Sequence, residues 1–439
     1  MGRSHRHGGL LALVLLAACS KPPGGTGGNG GSSGTGGSGG GDGRAGSADM
    51  AAGGGGGGDG GTTSGDMAGS GGNGGNGGGG GGGTPSACLP EHTDNVAASI
   101  NPPAGLAPTR VPQFVMFGFD DNGYADGIHW VVDSMFAGKK NADGSPARAT
   151  FFLIGGAATT DDGGVFNPAG GQTEQDLIGA WKAAYDAGHE IGNHTWDHAD
   201  GGDSRTPADW QIEITKSNDF IKSALGIQQC QLVGWRFPYL HFDNDGFTAI
   251  QSDGLRYDTS VEFGYDWWQP PGFTMGFGSS SPEYGKHYWW PFTLDQGFDS
   301  SFACCSKGVQ PHPGMWEFPV HAFTRPDPSD STKVKTVTGL DYNLWQTKAT
   351  VDSTVDFCAT LKYSFDQRYN NNRSPFNVGC HSDIYSEHNA TVDNAWGTTA
   401  ATRRAALQCF LDYVLTFPDA RVVAFRDVVE WMRDPKPLH

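Results

Sequence analysis

An apolar run, Phe114 to Phe119, ends on two adjacent carboxylates, Asp120 and Asp121, and opens the alternation that most constrains what this chain can become. A helix-length segment over 125–137 follows, then a second apolar run over 149–154. The alternation goes on through helix 173–187, strand 189–193, helix 208–225, strand 232–235 and helix 244–253. Further strands are predicted at 255–260, 316–320, 376–380 and 421–424, and further helices at 352–368, 398–415 and 426–432. Strand-then-helix repetition of this length predicts an α/β chain built as a parallel barrel. The stretch 261–350 breaks the rhythm with Pro, Gly and aromatic residues. It predicts long loops over one end of the barrel, where such folds place substrate sites.

Only part of the chain can take this form. Of the 66 residues 21–86, 35 are glycine, so burial cannot offset their backbone entropy; residues 20–86 read as a flexible tether spanning roughly 45 Å. All 13 tryptophans fall within 87–439, which is long enough for one large domain with a sizeable core. The first 19 residues carry Arg3 and Arg6, an apolar run from Leu10 to Ala18, and then Cys19. That is a secretory signal too short to span a bilayer. Its Leu16-Ala17-Ala18-Cys19 ending resembles a bacterial lipobox, which implies a lipidated Cys19, a membrane attachment and, with Ser20 following, the outer membrane. Seven further cysteines without a Cys-x-x-Cys pair suit an oxidising compartment and disulfides, and the odd number leaves at least one thiol unpaired within the chain. A net charge of −18 with no basic run excludes nucleic acid as the expected partner.

The candidate chemistry sits at predicted strand ends. Asp120 and Asp121 can divide their work, one ligating a cation while the other accepts a proton. His194-Thr195-Trp196-Asp197-His198 places two imidazoles at i and i+4, which on a helical turn face the same way and can grip one metal. With Asp121 they make a two-His-one-carboxylate set that leaves coordination positions open, as catalysis requires. Arg236, in Trp235-Arg236-Phe237-Pro238-Tyr239, can hold Asp120 ionised, while Pro238 stiffens the strand end and can aim the Tyr239 amide at an oxyanion. His381 is the candidate general acid, with Asp258 as the carboxylate that orients it. Among Tyr265, Trp267, Trp268, Trp289 and Trp290 in the irregular stretch, Trp267 and Trp268 are the foremost candidates for stacking on sugar.

These blocks, in this order, resemble the NodB-type polysaccharide deacetylases of carbohydrate esterase family four, and among them the chitin deacetylase branch. The resemblance runs over about 110–433. It rests on Phe119-Asp120-Asp121, Ala149-Thr150-Phe151-Phe152, His189 to His198, Arg236-Phe237-Pro238-Tyr239, Tyr257-Asp258-Thr259-Ser260, Trp290 to Asp295, Trp316 to Val320, and Arg373-Ser374-Pro375-Phe376 leading to His381. It implies a distorted (β/α) barrel of the seven-stranded type with long aromatic-rich loop insertions. It implies Asp120 as general base, Asp121, His194 and His198 as ligands of one divalent ion, with zinc foremost, Arg236 as partner of Asp120, Tyr239 as oxyanion donor, His381 as general acid and Asp258 behind it. The implied reaction is hydrolytic de-N-acetylation of an N-acetylglucosamine polymer by an exported, lipid-anchored monomer. The alternatives are a tethered glycan-binding protein without activity, or action on peptidoglycan or O-acetylated xylan. Two positions depart from the family pattern: Gly118 stands where the family usually has Thr, and Gly379 where many members have the Leu that lines an acetyl-methyl pocket.

Overall fold

The computed structural model describes residues 88–90, 93–198, 200, 205–263, 288–297, 309–337 and 339–438. The signal segment with Cys19, the tether, Tyr265, Trp267, Trp268, Cys304 and Cys305 lie outside the described residues. In chain order the strands are β1 (Gln113–Asp120), β2 (Thr150–Leu153), β3 (Glu190–Asn193), β4 (Gly234–Trp235), β5 (Tyr257–Asp258), β6 (Glu262–Phe263), β7 (Phe292–Thr293) and β8 (Trp316–Glu317). They continue as β9 (Val320–His321), β10 (Phe323–Asp327), β11 (Asp330–Val337), β12 (Phe376–His381) and β13 (Ala420–Val422). The helices are α1 (Ala125–Trp130), α2 (Glu174–Asp186), α3 (Pro207–Leu225), α4 (Asn244–Ser252), α5 (Asp341–Thr350), α6 (Phe357–Tyr369), α7 (Ala390–Trp396), α8 (Ala400–Val414) and α9 (Phe425–Arg433).

Seven parallel strands run in the order β12-β1-β2-β3-β4-β5-β8, with β7 antiparallel at the β8 edge and β13 beside the start of β1. Strands in a flat sheet lie about 4.8 Å apart, so β1 and β4 would be separated by about 14 Å. Yet Arg236, next after β4, bonds Asp120 on β1 at 2.8 Å, and Asn377 on β12 donates to Thr259, just past β5, at 2.6 Å. The sheet is therefore curled on itself into a distorted (β/α) barrel, with β9 packed alongside β12 at the seam. The seven-stranded barrel expected from the sequence is the fold observed.

Alternation along β1 divides the core. Val115, Phe117 and Phe119 point outward into the layer shared with the helices, whereas Phe114 and Met116 join the cluster inside the barrel. By the same period Asp120 faces the interior at the open end. Helix α9 closes the other end, where Phe425 packs on Phe152, Tyr257 and Phe318. Capping boxes at Thr173 and Thr206 start α2 and α3, fixing where the chain leaves the sheet.

The irregular middle holds more order than its composition suggests. Strands β10 and β11 form a hairpin, and α5 starts directly after it, inside the stretch 261–350 that was expected to be loop. Helix α7 was not predicted either, and α6 begins at Phe357, not at 352. Trp290, placed among the possible sugar-stacking aromatics, is 1% exposed and stacks on Trp431 in the interior cluster, so it is a core residue. Disulfides join Cys88 to Cys230 and Cys358 to Cys409, and Cys380 is buried and free.

Candidate active site

The turn after β1 sets the first part of the site. Asp121 and Asn122 both take left-handed backbone, which Asp and Asn tolerate better than most residues. Buried Asn122 secures this turn by donating to the carbonyls of Phe119 and Phe152 at 2.7 and 2.9 Å, and the Trp181 indole N–H donates to the Asn122 carbonyl. Asp120 is left inside the barrel mouth and Asp121 at its rim.

After β3 the chain carries the two histidines, but not on a helical turn as expected. Thr195 and His198 are left-handed, and the Trp196 and Asp197 amides donate to Glu213 of α3 at 3.0 and 3.2 Å. The His198 amide, the one that a helical turn over 194–198 would bond back to the His194 carbonyl, donates instead to Thr195 Oγ1 at 3.1 Å, and the loop itself brings the rings together, with centroids 4.9 Å apart. The Nε2 atoms of His194 and His198 lie 3.6 and 3.2 Å from Asp121 Oδ1. Nδ1–H of His194 donates to the Arg236 carbonyl at 2.7 Å, which fixes the tautomer and directs the Nε2 lone pair at Asp121. Burial lowers the His194 pKa to about 3 and that of His198 as well, so both rings are neutral. One donor atom from each of Asp121, His194 and His198 lies within 4.8 Å of the others, and Asp121 Oδ1 is buried without a hydrogen-bond partner. Two neutral imidazoles converging on an orphaned carboxylate oxygen fit a divalent cation.

Arg236 runs across the barrel interior. Its guanidinium donates to Asp120 at 2.8 Å, to the Thr259 carbonyl at 2.9 Å and to Asn377 at 3.2 Å, and it lies 4.7 Å from the Phe152 ring. A Cβ on Gly118 would meet both Arg236 Nη atoms at 3.1 Å, so the glycine in place of the usual Thr leaves space for the guanidinium. Burial raises the Asp120 pKa to about 6, and Arg236 opposes that rise. Past Phe237, Pro238 opens a short turn in which Tyr239 and Leu240 are left-handed and the Tyr239 ring rests on His198, centroids 4.7 Å apart. Six of the nine non-glycine residues with positive φ among those described thus lie at this mouth.

His381 ends β12 on the other side of the cleft. Its ring partner is Asp341 at the start of α5, not Asp258: Nδ1 lies 2.7 Å from Asp341 Oδ1, and the His381 amide donates to Oδ2 at 3.1 Å. Tyr385 donates to the same carboxylate at 2.9 Å. Burial opposes the charged imidazole, but Asp341, with Asp121 and Asp120 behind it, raises the His381 pKa to about 10. Asp258 instead accepts from the Ser260 amide and hydroxyl at 2.9 and 2.8 Å, and Ser260 in turn accepts from the Phe237 amide, which steadies the exit of β4. Tyr257, the other residue of β5, turns into the interior cluster, so Asp258 points to the opposite face of that strand, although β12 meets Thr259 just beyond it. The true partner lay in the stretch whose order was not read; its one signal was an acidic residue followed by Leu344 and Trp345 at i+3 and i+4, the start of a helix with one apolar face.

These groups line one cleft. Asp120, Asp121, His194, His198 and His381 form its polar side, and Phe237, Tyr239, Leu240, Leu340 and Tyr342, with Asn343, the rest. Residues 140–257 match the family model described as polysaccharide deacetylase, a stretch that contains His194, His198, Arg236 and Tyr239 but neither β1 nor β12. No curated protein matches the chain significantly. A putative polysaccharide deacetylase from Mycobacterium smegmatis is similar in structure, with 13% identity over 77% of this chain and 96% of that one and a TM-score of 0.43. The Xyl-CE4 domain of a multidomain xylanase from the Trinervitermes trinervoides hindgut metagenome shows 18% identity over 35% of this chain, with a TM-score of 0.25. The match spans 60% of that domain's length. A family 4 acetyl xylan esterase from Clostridium thermocellum, in complex with cobalt, shows 18% identity over 38% of this chain and 71% of that one, with a TM-score of 0.25.

Proposed function

We propose that the chain is a metal-dependent polysaccharide deacetylase that hydrolyses the acetamide of an N-acetylglucosamine polymer, chitin-type chains foremost. The convergence of Asp121, His194 and His198 beside an unligated Asp120 carries this reading. A divalent cation held by those three residues, zinc foremost, would supply Lewis acidity to the acyl carbonyl and to a water. Asp120 takes the proton of the attacking water, and Arg236 holds that carboxylate in line. The Tyr239 amide donates to the oxygen that gains charge as the carbonyl carbon becomes tetrahedral. His381, kept protonated by Asp341, hands its proton to the amine nitrogen as the C–N bond breaks, giving acetate and a free amine.

The Leu16-Ala17-Ala18-Cys19 ending and the glycine tract support an exported placement, with a lipidated Cys19 and a loose tether to a membrane, the outer membrane first. Among the described residues no helix is long and apolar enough to cross a membrane.

The test is acetate release by the purified, zinc-loaded protein from chitin oligomers, peptidoglycan, O-acetylated xylan and free N-acetylglucosamine, with metal content measured alongside. Chitin oligomers should yield acetate, and Asp120→Asn should retain about one equivalent of metal while losing roughly 100-fold or more in rate. Full rate in that variant, or no acetate from any substrate, refutes the assignment.

A further inference from the structure

The glycine at 379 has a structural counterpart. A Cβ placed on Gly379 would overlap Leu340 Cδ2, and the two residues form a parallel bridge. Leu340 thus occupies the volume that a side chain on β12 would take. It reaches there because Gly339 is also stripped: a Cβ at 339 would lie 2.6 Å from the His321 carbonyl and 2.8 Å from Val320 Cγ1. Two glycines facing opposite neighbours let the segment between β11 and α5 wedge between β9 and β12. Leu340 then packs with Leu240 and Val320 and is 8% exposed, its remaining surface lining the cleft that holds the Asp-His cluster.

We propose that Leu340, seated in the space Gly379 vacates, limits the acyl group this site accepts to a short one. The residue before Asp341 would thereby fix acyl size while Asp341 itself orients the acid on His381, so one turn of chain sets both. The inference rests on the deacylase reading above. A wall residue of this kind discriminates by volume: each methylene accommodated or refused in an apolar pocket is worth about 10–200-fold in kcat/KM.

The experiment uses the full zinc-loaded chain and glucosamine pentamers carrying N-acetyl, N-propionyl or N-butyryl groups. Thermal-shift titration with acetate, propionate and butyrate provides a readout that does not depend on turnover. Leu340→Ala should raise the butyryl-to-acetyl ratio of kcat/KM at least about tenfold and give butyrate a thermal shift it lacks in the wild type. Because ratios are read, a partly unfolded preparation does not imitate the effect. Leu340→Gly combined with Gly379→Leu, which returns the side chain from the strand, should restore the acetyl preference to within about threefold. An active wild type whose acyl ratio and carboxylate preference do not move in Leu340→Ala overturns the assignment of Leu340 alone. A wild type inactive on every pentamer refutes the deacylase reading, and the carboxylate titration then decides whether Leu340 still selects by size.

Discussion

Replacing Asp341 by Asn removes one charge from beside His381 while keeping the shape of the side chain. The carboxylate and the imidazole are in contact at 2.7 Å, which puts their charge centres about 4 Å apart. At an effective dielectric of about 20 their attraction is about 4 kcal/mol, or about three pH units. His381, raised to about 10 in the native protein, should then titrate near 7 in Asp341→Asn. If His381 is the acid, kcat/KM for acetate release at pH 9 should fall roughly 100-fold, while the loss at pH 6 stays small. The alkaline limb of the profile should move left by about three pH units. Linkage gives an independent reading. A folded pKa above the ordinary 6.5 stabilises the protein fully below pH 6.5 and loses that contribution as pH rises through 10, so the wild type should weaken between pH 7 and 10 and the variant much less. The variant should also be less stable overall by about 1–3 kcal/mol: an amide oxygen that keeps the Tyr385 hydroxyl and the His381 amide puts the NH2 group, which only donates, against His381 Nδ1–H. The rate profile from acetate release and the His381 ring titration by NMR are the measurements. An alkaline limb that coincides in wild type and variant refutes the reasoning.

Trp290→Ala should cost about 3–5 kcal/mol in urea unfolding, because the ring is buried against Trp431, yet leave the turnover of the folded protein within about twofold; a lost rate without lost stability contradicts a core role. Glu190 is buried facing the Thr150 hydroxyl, the Arg426 amide and guanidinium, Asp427 and Tyr257, and burial lifts its carboxyl to about 7. Its contribution is fully present below about pH 4.5 and lost as pH rises through 7. The stability of wild type relative to Glu190→Gln should therefore fall by an amount on the order of 3 kcal/mol between pH 4.5 and 8, and a difference that is flat with pH in paired denaturation curves contradicts this.

Much of this site can be read from the chain itself, for a physical reason. Strand ends in a parallel barrel all reach one mouth, so Asp120, Asp121, His194, Arg236 and His381, each ending or following an apolar run, had to meet once the barrel closed. What could not be read depends on pairings across space. The helical turn anticipated at His194 to His198 fails because Thr195 and His198 are left-handed and the His198 amide bonds the Thr195 hydroxyl, while Glu213, from the next helix, holds the loop by the Trp196 and Asp197 amides. Asp258 and Asp341 are both acids near candidate strand or helix ends, and only the face each presents in the closed barrel decides which of them meets His381. Similarly, the absence of a leucine at 379 looks like a gap along the sequence, while a leucine from 39 residues earlier fills it.

The left-handed residues around the mouth set selection for durability against selection for turnover. At His198 and Tyr239 the backbone would relax with glycine, and the fold alone gives no reason to keep a bulky side chain there. A search for heat-resistant variants would therefore converge on these positions early and erode the cleft as it did so. Descendants in which the cleft is no longer under selection should show glycine or asparagine accumulating at these two sites before the barrel core changes.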